Sequence, residues 1–299
     1  MGRMWTKILA ANGGPTIWGG LPRRLSTIVF LMLALLVGAC TPSSAQGAIH
    51  DDTFSVGSSP KLLVESDGGR VDVRAGPPGV IVVQSSIQNP EKLEYEVRRE
   101  GDTIIIAAKQ HPGLRNLAKL NIPSADIIIT APSTTFIDLI TNDGDVEISG
   151  MQASGNLVTS NGGITLEDVS GNFNGGTTNG GISIDSMIGN ASLETTNGTV
   201  RVERGKGAFE LATRSGTIYF QGELTPGGKN GFLTSNGNVV VKLDGDPSLR
   251  VLASATNGSA VSSLALAAGT ADDKNFSGII GLGEAELVIN AANGTVTLE

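Results

Sequence analysis

The sequence predicts an all-β chain wound as a parallel β-solenoid with coils of about 18 residues, and three observations carry that prediction. Gly144, Gly162, Gly180, Gly198 and Gly216 recur at 18-residue spacing, Gly237 and Gly258 follow at 21 each, and Gly294 lies 36 further on. Nearly the same word ends on each of them: TNDG, TSNG, TTNG, TTNG, TRSG, TSNG, ATNG and AANG. Apolar residues alternate with polar ones around that word, which is the period of a half-buried strand. Two residues after the glycine stand Val146, Ile164, Ile182, Val200, Ile218, Val239, Ala260 and Val296. Four after it stand Ile148, Leu166, Ile184, Val202, Phe220, Val241, Ser262 and Leu298. A second inward column lies five before it: Leu139, Leu157, Gly175, Leu193, Leu211, Phe232, Ala253 and Ile289.

The N-terminus reads as a targeting segment. Residues 28–39 (IVFLMLALLVGA) form an apolar run behind Arg23 and Arg24. That is too short to cross a bilayer as a helix and suits the core of a secretory signal peptide. The run ends in Leu36-Val37-Gly38-Ala39-Cys40, small residues before the chain's one cysteine, which resembles the lipobox of bacterial lipoproteins. By that resemblance residues 1–39 are a cleaved signal and Cys40 is the lipid-modified, palmitate-bearing first residue. Cleavage removes Arg3, Lys7, Arg23 and Arg24 of the 21 basic residues and none of the 29 acidic ones, leaving a net charge of -12. Such a surface has no pull toward anionic headgroups, so attachment to the membrane must come from the lipid on Cys40. Thr41, rather than Asp, follows the cysteine, so outer-membrane placement is expected if the host is Gram-negative. Residues 40–53, with TPSSAQG at their start, read as a tether.

Residues 54–132 carry strand runs without the 18-residue period: KLLVES, RVDVRA, GVIVVQSS, LEYEVRRE, TIIIAAK and ADIIIT. Val71/Val73 and Ile104/Ile106 resemble the later inward pairs, so this part reads as an irregular β opening, continuous with the repeats of 133–299. Asn-Gly between alternating strands is also a hairpin signal, which leaves a meander as the rival architecture. The columns decide for the solenoid. In a stack each position meets its own copy one coil away, so identical residues form ladders. Thr141, Thr159, Thr177, Thr195, Thr213 and Thr234 make one, and Asn161, Asn179, Asn197, Asn236, Asn257 and Asn293 another. The asparagines are expected to bond amide to amide and to sit at the positive φ that Asn tolerates. The pattern lapses over residues 262–278 (SSLALAAGTADDKNFSG), read as an irregular coil or loop, and resumes afterwards.

These features resemble the bacterial "putative adhesin" family of β-strand-repeat proteins. The likeness rests on VESDGGRVDV, on IIITAPSTTFIDLITNDGDVEISG and on the serial T-S-N-G-x-I/V-x-L/V words, and it spans residues 54–298. The resemblance implies an adhesion-like or structural role in the cell envelope and brings no catalytic residues.

Composition narrows the chemistry. A single cysteine excludes a disulfide framework and Cys-rich metal sites. The net charge of -8 excludes nucleic-acid binding through a basic face. His50 and His111 stand apart from any nucleophile pattern and are expected to be exposed. Asp143, Asp145 and Glu147 are the candidate metal ligands, since alternate carboxylates around a glycine turn suit a calcium ion. Sister coils put Asn161, Gly163 and Thr165 in those places, so the simpler expectation is a solvated turn. No cofactor is expected. The sequence thus points to a non-enzymatic, lipid-anchored envelope module, its partners the membrane at Cys40 and an envelope protein or polysaccharide. A sensory module binding through residues 262–278 is one alternative. A β-helix polysaccharide lyase is the other, by fold analogy alone.

Overall fold

A computed structural model describes residues 47–111 and 122–299; the signal segment, Cys40 and the first half of the tether lie outside them. The centre of the chain fixes the architecture. Three 16-residue strands, Ile164–Asn179, Ile182–Asn197 and Val200–Ser215, pair in parallel. Ile164 lies opposite Ile182 and Ile182 opposite Val200; Thr177, Thr195 and Thr213 follow the same register. A meander would make these neighbours antiparallel, so the chain is a parallel β-solenoid.

Each coil must bury two runs of side chains that a flat strand would place on opposite faces. Its solution is one left-handed residue per coil. Asp168, Ser186 and Arg204 have φ of 50, 64 and 53, and the ladder passes over them. The break shifts the in–out alternation by one. Leu166 and Val169 therefore both point inward, as do Ile184 and Met187, and all four are buried. The inward columns merge into one hydrophobic core along the stack. Phe209, Phe220 and Phe232 form an aromatic file inside it, with successive ring centroids 5.1 Å apart.

The stack does not follow chain order at its ends. Lys229–Asn236 pairs with Ala285–Asn293, which pairs in turn with Leu249–Asn257. Val239–Leu243, Val296–Leu298 and Ala260–Ser262 are ordered in the same way. The C-terminal coil is thus inserted between two coils that precede it in sequence. At the other end Lys61–Gly68 lies between Thr103–Gln110 and Phe136–Asp143, and Val71–Gly76 between Ser124–Pro132 and Val146–Ser149. Ile104 and Ile106 consequently align with Leu62 and Val64 on one arm, while Val71 and Val73 belong to the other.

Antiparallel strands cap both ends. Ala48–Ser55 pairs with Val80–Gln88, which pairs with Ser124–Pro132, and Leu93–Glu100 pairs with Thr103–Gln110. Among the described residues strand pairing thus begins at Ala48, inside the span 40–53 that the sequence reads as tether, because residues 48–53 are bonded to Val80–Gln88. Residues 262–278 are likewise more regular than expected: Asn275–Ile280 pairs with Leu249–Asn257 and with Ala267–Ala271. Among the described residues the one helical feature is the single turn Pro90–Lys92, and no helix is long and apolar enough to cross a membrane.

Candidate functional site

The repeat word is a bonding device between coils. Every ladder threonine but Thr141 donates its hydroxyl to the carbonyl of a turn glycine one coil away: Thr159 to Gly144 at 3.1 Å, Thr177 to Gly162 at 2.8 Å, Thr195 to Gly180 at 2.8 Å, Thr213 to Gly198 at 3.0 Å and Thr234 to Gly216 at 3.0 Å. The asparagines stack as expected, with the Asn179 amide donating to Asn161 Oδ1 and the Asn197 amide to Asn179 Oδ1, both at 2.8 Å. The ladder resumes across the inserted coil, Asn293 donating to Asn236 and Asn257 to Asn293 at 2.9 Å. None of these asparagines has positive φ, contrary to expectation, because the turn is not a tight hairpin. The glycines answer to proximity instead. A Cβ on Gly162, Gly180 or Gly198 would lie 2.0 Å from the preceding turn glycine's carbonyl oxygen.

With Thr and Asn committed to the turns, the residues between the inward columns form the outer face. Across the arm that precedes the glycines, this face holds an open groove of about 1340 Å³. Gly175, Gly176, Gly231 and Ala212 line it with little side-chain bulk, and Glu194, Glu210 and Arg214 supply its charge. The Ser192 hydroxyl reaches Glu210 at 3.5 Å. Val158, 45% exposed, and Leu233, 46% exposed, also line it. Each continues into an apolar patch: Ile140 lies opposite Val158, and Val288, between Gly231 and Leu252, adjoins Leu233.

A sequence profile of the family described as Toastrack DUF4097 matches residues 60–299, most of the chain. The chain belongs to that family. Among solved structures, this Toastrack chain is similar to a "putative adhesin" from Bacteroides fragilis NCTC 9343, at 15% identity over 84% of this chain and 97% of that one, with a TM-score of 0.47. It is similar to a "putative lipid binding protein" from Parabacteroides distasonis ATCC 8503, at 14% identity over 85% and 98%, with a TM-score of 0.48. It is also similar to a "putative cell adhesion protein" from Clostridium sporogenes ATCC 15579, at 14% identity over 84% and 99%, with a TM-score of 0.32. A search of curated proteins finds no match.

The acidic residues of the Toastrack turn TNDGDVE are held by three different partners. Asp143 accepts from the Asn161 amide at 2.6 Å, Asp145 from the Gly163 N–H at 2.7 Å, and Glu147 is ion-paired with Arg70. Asp143 and Asp145 thus serve as the first rung of the Asn ladder and a clip on the next coil. Among the described residues no three His, Cys, Asp or Glu side chains form a metal-holding cluster. Beside Glu147 lies an ionic group that the sequence did not single out. The nearly buried Asp72 carboxylate accepts from Arg74 Nε at 2.9 Å and from Arg70 Nη2 at 3.3 Å. Its bond and charge hold the Arg74 guanidinium above its ordinary pKa. His50 and His111 are both exposed; the His50 ring lies 5.1 Å from that of Tyr95. Burial pushes the Tyr95 hydroxyl up despite its short hydrogen bond with Ser85.

Sequence reasoning missed Glu194, Glu210 and the groove around them. Their one signal was positional. Outward places recur with the same 18-residue period, but their residue types change from coil to coil.

Proposed function

We propose that this Toastrack chain is an exported, lipid-anchored and non-catalytic module of the cell envelope, with an adhesion-like or structural role. Cys40 carries the anchor, and the outer-face groove is the contact surface. The groove is the observation that carries the reading. Its lining residues sit on coils locked together by the Thr and Asn bonds, so the surface is set before a partner arrives. Such a face loses little ordering entropy on contact, and its length across several coils suits an extended chain, either an envelope polysaccharide or a protein. The commitment of Asp143, Asp145 and Glu147 to other bonds supports a structural use of the most acidic turn. The acidic surface, which anionic headgroups repel, supports attachment by lipid alone.

Two measurements test the parts separately. Cys40→Ser should move the protein from the membrane fraction to the soluble one; a variant that still sediments with membranes after a high-salt wash overturns the anchor. Val158→Arg with Leu233→Arg should weaken cell adhesion while membrane fractionation and the melting curve stay unchanged. Unaltered adhesion in that double variant rejects the groove.

A further inference from the structure

The row of outward residues along the middle of the groove alternates in bulk. Parallel registers place Val158 opposite Gly176, Gly176 opposite Glu194, Glu194 opposite Ala212 and Ala212 opposite Leu233. All five line the groove. Large side chains thus stand on every second coil, with Gly176 and Ala212 as dips between them. Coils stack at about 4.8 Å, so Val158, Glu194 and Leu233 recur at about 9.6 Å. The apolar pair spans about 19 Å, with a carboxylate at its midpoint.

That period matches one backbone conformation. A polyproline-II chain rises about 3.1 Å per residue with three residues per turn, so every third side chain returns to the same face after about 9.3 Å. A β-strand returns every second residue, after about 6.7 Å, and falls out of step. The polyproline-II backbone makes no internal hydrogen bonds, so its carbonyls need donors from the surface that holds it. Asn174 flanks the row on one side and Thr178, Thr196 and Ser235 on the other. Among the described residues the amide and hydroxyls of these four side chains make no other hydrogen bond.

Charge selects the side chains. Glu210 is a diagonal neighbour of Glu194, because it lies opposite Ser192 while Glu194 lies opposite Ala212. Arg214, on the other side of Ala212, is ion-paired with neither carboxylate, and among the described residues neither has another cationic partner.

We propose that the groove binds a polyproline-II segment of a partner protein in which a Lys or Arg has an apolar residue three positions away on either side. The apolar residues seat beside Val158 and Leu233, and the cation enters between Glu194 and Glu210. The chain's net charge of -8 draws in such a basic segment. A polysaccharide suits the row less well. It would present one repeated unit to Val158, Glu194 and Leu233 alike, and among the described residues no aromatic side chain lines the groove to carry a sugar ring. The inference rests on the groove being the contact surface and adds what it takes.

Fluorescence anisotropy with the full-length chain in neutral detergent and a labelled Leu-Pro-Pro-Lys-Pro-Pro-Leu peptide reads the binding. It should saturate and weaken as salt rises. A Leu-Pro-Lys-Pro-Pro-Pro-Leu peptide, whose cation is out of step, should bind about fivefold more weakly, and Glu194→Gln should weaken the first peptide as much, the scale of an accessible ion pair. Glu194→Arg should reverse the preference, favouring Leu-Pro-Pro-Glu-Pro-Pro-Leu, which a folding defect cannot do. Ile188→Arg, exposed and outside the groove, should leave binding unchanged. No saturation by the Lys peptide, equal affinity for the out-of-step peptide, an unreversed preference in Glu194→Arg, or loss with Ile188→Arg overturns the proposal. So does binding of neutral glucan oligosaccharides without any response to the peptide, because the groove is then a saccharide site. If cell adhesion still falls in the Val158→Arg, Leu233→Arg double variant, the groove survives as the contact surface and only the peptide assignment is lost.

Discussion

Gly180→Ala isolates what the glycine column does. If the column served a hairpin turn, its demand would be positive φ, yet Gly180 lies outside the left-handed region. Its Cβ would stand 2.0 Å from the Gly162 carbonyl oxygen, 2.5 Å from the carbonyl carbon and 3.0 Å from Gly163 N. All three are backbone atoms, so no side chain can swing aside. Relief requires the two coils to part by about 1 Å at a spacing of about 4.8 Å. Four bonds cross that gap: Asn179 N–H to Ser160 O at 2.8 Å, Ile164 N–H to Gly181 O at 3.0 Å, Thr177 Oγ1 to Gly162 O at 2.8 Å and the Asn179 amide to Asn161 at 2.8 Å. Each is worth about 1 kcal/mol, so losing or stretching them costs roughly 3–5 kcal/mol. Gly181→Ala is the matched control, because its Cβ meets only Thr199 O, at 3.3 Å. It should cost less than about 1 kcal/mol, offset in part by lower unfolded-state entropy. Denaturant unfolding followed by circular dichroism compares the two. A stacked array need not unfold in two states, so amide exchange at Ile164 and Asn179 should accompany the midpoints. Equal tolerance of the two substitutions would refute close coil approach as the reason for the glycine.

Three further outcomes follow from the same geometry. Ile182 is 1% exposed and faces Ile164 and Val200, so Ile182→Ala should cost about 2–5 kcal/mol. Combined with Ile164→Ala the loss should depart from additivity by about 0.5 kcal/mol or more, and clean additivity in a double-mutant cycle counts against a shared column. Thr195→Val removes the 2.8 Å bond from a buried hydroxyl to Gly180 O and should cost about 1–2 kcal/mol in thermal unfolding. The exposed Asn179→Leu should cost less than about 1 kcal/mol, because water replaces its amide partner; the reverse order would make the Asn ladder the main tie. Deleting residues 284–299 should expose amides across Leu249–Asn257 to hydrogen exchange, because the lost coil lies beneath that strand; protection unchanged from the full chain would rule out the insertion.

The solenoid was legible because its coils repeat identity as well as polarity. A Thr column, an Asn column and a Gly column at 18-residue spacing mean stacked copies, and the parallel registers bear this out. The order of the coils at the ends was not legible, for a physical reason. Asn293 can donate to Asn236 and accept from Asn257 because each coil presents the same groups above and below. A ladder says that a coil stacks without saying on which neighbour. Gly294, 36 residues beyond Gly258, reads in sequence as two periods further on, whereas in space it lies between Gly237 and Gly258. The groove was hidden for the opposite reason: Gly176, Glu194, Ala212 and Leu233 share one outward row and no common chemistry.

Insertion of the C-terminal coil gives the stack a way to protect what repeat proteins usually leave exposed. In a stack that follows chain order, the first and last coils each lack one neighbour and fray by separating from a single ladder. Here the coil of residues 61–76 and the coil of residues 285–298 each have neighbours on both sides, although the first described strand, Ala48–Ser55, pairs with Val80–Gln88 alone. Peeling the C-terminal coil must therefore break two ladders at once. The cost falls on folding rather than on stability. Val239 pairs with Val296 across 57 residues, where Ile182 pairs with Val200 across 18. Closing that longer loop delays the rung, so the central 18-residue coils can form before the last coil seats. Once seated, the C-terminal coil holds the preceding cap against the rest of the stack.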